Sequence, residues 1–224
     1  MPSSKNMNPA FAVTDCAMLS IATGLEAQNL RELRDRLGII PVGSVYYHFW
    51  GAHLRPGFET PEYNNDFANW AYESLHDQAL AERLGAIDFA NYSDLERLRE
   101  ELIDVIEEHL YEVEYIPWAK TGAAFQFVRS ILVTFDTGLR IEQPEQLVEL
   151  LPHMTDSSLY YHCIDARRRP PEGVDDFRAW FMGMDGKYKD LIEAIADMDP
   201  HFMTLANLRR KLGQLFQTFL GGDR

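Results

Sequence analysis

Ser44-Val45-Tyr46-Tyr47-His48 returns downstream as Ser158-Leu159-Tyr160-Tyr161-His162. Its surroundings return with it. Thr23-Gly24-Leu25 precedes the first pentad as Thr137-Gly138-Leu139 precedes the second, and triplets and pentads share an offset of 114 residues (137 − 23 and 158 − 44). Self-similarity at a fixed spacing reads as a tandem duplication. The expected fold is mainly α, with two homologous helical halves related by a pseudo-twofold axis and room for one short strand in each. The expected boundaries are a disordered tail at 1–9, a first repeat at 10–110, a linker at 111–123 and a second repeat at 124–220. Halves of this size are marginal alone, so the repeats are expected to pack as one compact unit.

Upstream of the pentads, alternate positions carry Phe125, Phe127, Ile131, Val133 and Phe135 in the second copy. That favours a strand. The first copy, with Ala17, Met18, Ile21 and Ala22, fits helix or strand and leaves 11–22 open. Gly24 and Gly138 are expected to end these stretches in turns. Leu30, Leu33 and Leu37 have helical spacing, with Gly38 as the stop. Pro144 suits a first helical turn in the second copy. The pentads read as helices capped by Ser44 and by Asp156-Ser157.

Beyond them the halves differ by a four-residue deletion. Arg55-Pro56 matches Arg169-Pro170 at offset 114, but Asp66-Phe67 matches Asp176-Phe177 at offset 110. The deletion lies in 57–65, which reads as a surface loop. Asn65 or Asp66 then caps a helix bearing Phe67 and Trp70, matched by Phe177 and Trp180. Each half ends in a long amphipathic helix: Leu95, Leu98, Leu102, Ile106 and Leu110, against Leu205, Leu208, Leu212, Phe216 and Leu220. Ser93 with Glu96 suggests a capping box. The acids from Glu96 to Glu114 read as a solvated face.

Comparing the halves with each other selects a polar set: Tyr47, His48, Arg55, Asp66 and Trp70, with Tyr161, His162, Arg169, Asp176 and Trp180. Both Arg–Asp pairs survive a change of loop length between them, so each pair is expected to meet in space. Two readings follow. Either the set ties helices together, or it frames paired ligand sites with a histidine as acid or base beside an arginine. No metal-ligand spacing, Gly-rich phosphate loop or nucleophile elbow occurs, so neither metal nor cofactor is expected.

Two family resemblances are visible. Asn29–Trp50 resembles the helix-turn-helix of tetracycline-repressor-like regulators. Against DNA docking, Ser44–Trp50 holds no Lys or Arg, and the second copy puts Pro152-His153-Met154 where the turn would be. Over nearly the whole chain, Asn29–Leu33, Ser44–His48, Asn65–Trp70, Leu95–Arg99, Tyr161–Arg169 and Asp175–Phe177 resemble the bacterial and archaeal family called domain of unknown function 5752. That resemblance implies no activity.

Hydrophobic residues make up 46% and aromatics 12% of 224 residues, enough for a packed core. A formal charge of −14 disfavours nucleic acid and anionic membranes as partners. No apolar run is long enough to span a bilayer. Cys16 and Cys163 are not equivalent and form no Cys-x-x-Cys, so a cytoplasmic setting is expected. The function expected is that of a cytosolic binding or accessory protein acting through an inter-repeat groove or an exposed face. The alternative is an enzyme on a small polar or anionic substrate that uses the repeated cluster. A protein or small-molecule partner fits the first reading, and a homodimer is left open.

Overall fold

The structure, a computed structural model, describes residues 9–55, 62–171 and 173–222. Residues 1–8 of the expected tail and 57–61 of the expected loop lie outside the described residues. The fold is mainly α. In chain order the elements are β1 (Phe11–Ala27), α1 (Leu30–Leu37), α2 (Val42–Trp50), α3 (Asp66–Glu73), α4 (Gln78–Gly85) and α5 (Leu95–Glu112). Then follow β2 (Phe125–Ile141), α6 (Leu147–Leu150), α7 (Asp156–Cys163), α8 (Asp176–Met182), α9 (Lys189–Ala196) and α10 (Leu205–Leu220).

The strands are the main departure from expectation. Each is 17 residues long, not short, and the open stretch 11–22 is strand. Both run on through their glycines, which were expected to end them. Gly24 and Gly138 sit at φ +75 and +78, where L-residues are strained. The preceding threonine makes the continuation workable. Thr23 Oγ1 accepts from the Leu25 amide and donates to the Phe127 carbonyl; Thr137 Oγ1 accepts from Leu139 and donates to Val13. The glycine here sits inside the strand and does not stop it. β1 and β2 pair as a two-stranded sheet. The contacts Thr23–Phe127 and Val13–Thr137 make the pairing antiparallel.

The chain divides into two compact units, Met18–Leu132 and Met1–Ala17 with Val133–Arg224. In the first unit, helices α1 to α5 hold the opening residues of β2, the strand that follows them. In the second unit, α6 to α10 hold the opening residues of β1, which lies ahead of every described helix. Each strand therefore begins in one unit and ends in the other.

In the first unit the apolar stripe of α5 is covered at Leu98, Leu102 and Ile106, while Leu95 and Leu110 are half-buried. The α5 cap is Asp94, whose side chain accepts from the Glu96 amide, and not Ser93. In the second unit Leu205, Leu208, Leu212, Phe216 and Leu220 are all buried along α10. Phe216 packs edge-on to Phe177 at 5.5 Å between ring centroids. Phe216→Ala should therefore destabilise by about 3–5 kcal/mol through the cavity left behind. Denaturant unfolding measures this, and a loss below about 1 kcal/mol would place the stripe outside the core.

Candidate functional site

The pentad helices do not begin where expected. α2 starts at Val42 after Pro41, and α7 is capped by Thr155, whose hydroxyl accepts from the Ser158 amide. Ser44 and Ser158 lie inside their helices and are freed from capping. Ser44 Oγ donates to the Val128 carbonyl at 2.8 Å, and Ser158 Oγ donates to the Thr14 carbonyl at 2.8 Å.

Four residues on, the histidine takes the amide of the same strand residue. The Val128 amide donates to His48 Nε2 at 3.1 Å, and the Thr14 amide donates to His162 Nε2 at 2.9 Å. Serine and histidine at i and i+4 share one helical face. Together they satisfy the amide and carbonyl of one strand residue, as a neighbouring strand would. An Nε2 that accepts a backbone N–H carries no proton, so the ring proton sits on Nδ1. There it meets a carboxylate: His48 Nδ1 lies 2.8 Å from Asp66 Oδ2, and His162 Nδ1 lies 2.6 Å from Asp176 Oδ2.

The arginines complete each set. Arg55 Nη2 donates to Asp66 Oδ1 at 2.5 Å, and Arg169 Nη2 donates to Asp176 Oδ2 at 2.8 Å. Arg55 does not sit on a helix with His48, because α2 gives way at Gly51 to a 3-10 turn. It folds back over the Tyr47 ring at 5.0 Å, as Arg169 lies over Tyr161 at 4.1 Å. Arg169 also donates to the Tyr161 hydroxyl and carbonyl. The tryptophans pin the strand ends: Trp70 Nε1 donates to the Ala123 carbonyl and Trp180 Nε1 to that of Pro9, both at 2.8 Å. Phe125 then stacks on Phe67, and Phe11 on Phe177, each at 5.0 Å.

Every residue singled out in the repeated set is thus brought together within its own unit. In the second unit a shallow cleft of about 270 Å³ opens beside it, lined by Tyr161, His162, Arg169, Asp176 and Trp180 with strand residues from Pro9 to Thr14. Sequence reading missed Ser44, Ser158 and the strand peptide groups. The recurrence of serine at each pentad head was their signal. It also left Asp77 and Asp15 without partners. Asp77 meets buried His109 at 2.7 Å, and Asp15 accepts from the Thr155 and Ser157 hydroxyls.

Burial holds the His48 imidazole below its usual 6.5, although the Asp66 hydrogen bond opposes it. Burial would raise Asp66, but the hydrogen bonds from His48 and Arg55 outweigh it and keep the carboxyl below 3.8. Burial pushes the Cys16 thiol up to about 12 and that of Cys163 well above 9, so neither is a ready nucleophile. Among the described residues no cluster of His, Cys, Asp and Glu could hold a metal ion, and no helix is long and apolar enough to cross a membrane. Residues Ser44 to Trp50 are all buried, so α2 presents no face to a DNA groove.

A mainly helical chain with a two-stranded antiparallel ribbon and repeated Ser-His-Asp-Arg sets defines the class. The chain belongs to the family of unknown function DUF5752, whose family model matches residues 8–217. Among solved structures it is similar to OrfY from Thermoproteus tenax, with 24% identity and a TM-score of 0.76. The match covers 95% of this chain and 96% of that one, and the likeness is one of fold. Comparison with the curated proteins finds no match.

The linkage sign follows from the lowered His48 value. A folded imidazole that protonates less readily than the unfolded one contributes stability that is full above about pH 6.5 and lost as pH falls toward the folded value. Asp66 adds a second loss below about pH 3.8. Unfolding free energy measured from pH 7 to pH 5 should decline. In His48→Gln it should start lower and slope less. An equal slope in both proteins would remove His48 from the acid response.

Proposed function

We propose that this chain is a binding or accessory protein in which the two Tyr-His-Arg-Asp sets are latches that fix each strand to its helices. The observation that supports this most is the same in both units: Nδ1 and Nε2 of the histidine are each committed to a protein partner. A general acid or base needs a nitrogen that can reach substrate. Both oxygens of Asp66 are committed likewise, Asp176 Oδ2 takes both His162 and Arg169, and Arg169 gives three hydrogen bonds to Tyr161 and Asp176. This counts against the enzyme reading, in which the histidine is the acid or base.

We read the chain as a tandem duplication because Ser, His, Asp, Arg and Trp each make the same contact twice. The sheet register supports a pseudo-twofold relation of the strands: the pair Val13–Thr137 becomes Phe127–Thr23 when each number moves by 114. Free, buried Cys16 and Cys163 are in keeping with a reducing cytoplasm, where we place the protein.

The test is the stability of Asp66→Ala and Asp176→Ala. Each removes the partner of a buried Nδ1–H, which costs about 1–3 kcal/mol. The arginines add little, because their side chains are 37% and 36% exposed and can be rehydrated. Thermal or denaturant unfolding should show a loss of about 2 kcal/mol in each variant. Wild-type midpoints in both would overturn the latch and return the cluster to a ligand role.

A further inference from the structure

Within Met18–Leu132, the segment Tyr111-Glu112-Val113-Glu114-Tyr115-Ile116-Pro117-Trp118 leaves three large aromatic side chains in solvent. Tyr111 is 94% exposed, Tyr115 76% and Trp118 60%. Single exposed apolar residues are ordinary; three in eight residues, on a backbone that is held, are not. Tyr111 belongs to the last turn of α5. At the other end Trp118 forms an antiparallel bridge with Asn29, and the Ala119 amide donates to the Gln28 carbonyl at 2.7 Å. Pro117 removes further freedom between them. The rings are presented on fixed backbone and contribute little to the core.

The charges around them select the partner. Glu107, Glu108, Glu112 and Glu114 are all exposed. Two have cations: Glu107 lies 3.5 Å from Arg34, and Glu112 lies 2.6 Å from Arg83. Glu108 stands three residues before Tyr111, on the adjoining position of the helix. This surface is not a requirement of the fold. The corresponding helix α10 carries Arg209, Arg210 and Lys211, has no acid, and is followed by Gly221 and Gly222.

We propose that Tyr111, Tyr115 and Trp118, with the flanking glutamates, form a docking surface for an arginine-bearing segment of a partner protein. A guanidinium pairs with carboxylate along its edge and stacks on an aromatic ring with its face, whereas an ammonium offers only a compact charge. Exposed Trp and Tyr on a preorganised backbone bind at low entropic cost and are typical interface anchors.

The probes are fluorescent nona-arginine and nona-lysine peptides, titrated by anisotropy against the full chain at physiological salt. The arginine peptide should bind about tenfold tighter than the lysine peptide. The variant Tyr111→Ser/Tyr115→Ser/Trp118→Ser should lose that preference while keeping the residual affinity that charge alone supplies. Its unfolding midpoint shows whether it is folded, and Tyr111→Ser alone, at the most exposed ring, should lower the preference without touching the fold. Equal affinity for both peptides, no binding of either, or a preference that survives the substitutions would overturn the proposal. So would concentration-dependent self-association abolished by the triple variant, which would make the occupant a second copy of this chain.

Discussion

A buried imidazole joins a strand amide to an aspartate, and the rest of each unit is arranged to permit it. A two-stranded ribbon leaves one backbone edge of each strand without a sheet neighbour, and a buried amide or carbonyl left unpaired is costly. At Val128 and Thr14 a helix meets that edge instead of a third strand, and a helix has no spare backbone groups to offer. Serine and histidine one turn apart supply a donor and an acceptor at the required separation. The acceptor role fixes the tautomer, which then calls for a carboxylate on the far side of the ring. Asp66 and Asp176 answer from the first turns of α3 and α8, where negative charge is favoured.

Packing follows from that bond. To bring Nε2 against the strand, α2 must lie under it, which buries Tyr46, Phe49 and Trp50 as well as His48. The helix is then apolar nearly all round, as a core helix should be. A recognition helix needs the opposite, an exposed polar face. The likeness of Asn29–Trp50 to a helix-turn-helix thus comes from aromatic residues that here face inward. The arginines lie outermost and stay partly solvated.

Much of this could be read before the structure was seen. Leucine stripes located α1, α5 and α10, and the persistence of Arg55 with Asp66 across a loop of changed length foretold their contact. The strands were less legible. Thr-Gly suggests a turn by local preference, and only the opposite strand reveals that threonine bridges the glycine. Serine at a helix head suggests a cap for the same reason, whereas tertiary contact moved the helix start upstream. Least legible was the partner of each strand. A repeat tells which residues correspond, but Phe125 and Phe11 have the same local sequence logic whichever set of helices takes them. His109 with Asp77 had no signal at all, since the pair is unrepeated and distant in the chain.

The positions that did change between the copies bear on the same contact. Asp15 accepts from Thr155 and Ser157 at the start of α7, and from the adjacent Cys16 amide. At the corresponding places of the other copy stand Arg129, Pro41, Gly43 and Ser130. There a Cβ at Gly43 would lie 3.0 Å from the Ser130 carbonyl, a tight contact from which the strand would have to yield by a few tenths of an ångström. Arg129 is exposed, and neither proline nor glycine brings a side-chain group to meet it. A carboxylate with hydroxyl donors in one copy corresponds to an exposed cation over a bare backbone in the other. The differences come as a set because strand and helix touch at this point. Beside it Ser, His and Asp are unchanged, since any one altered alone would leave a buried polar atom of the latch without its partner.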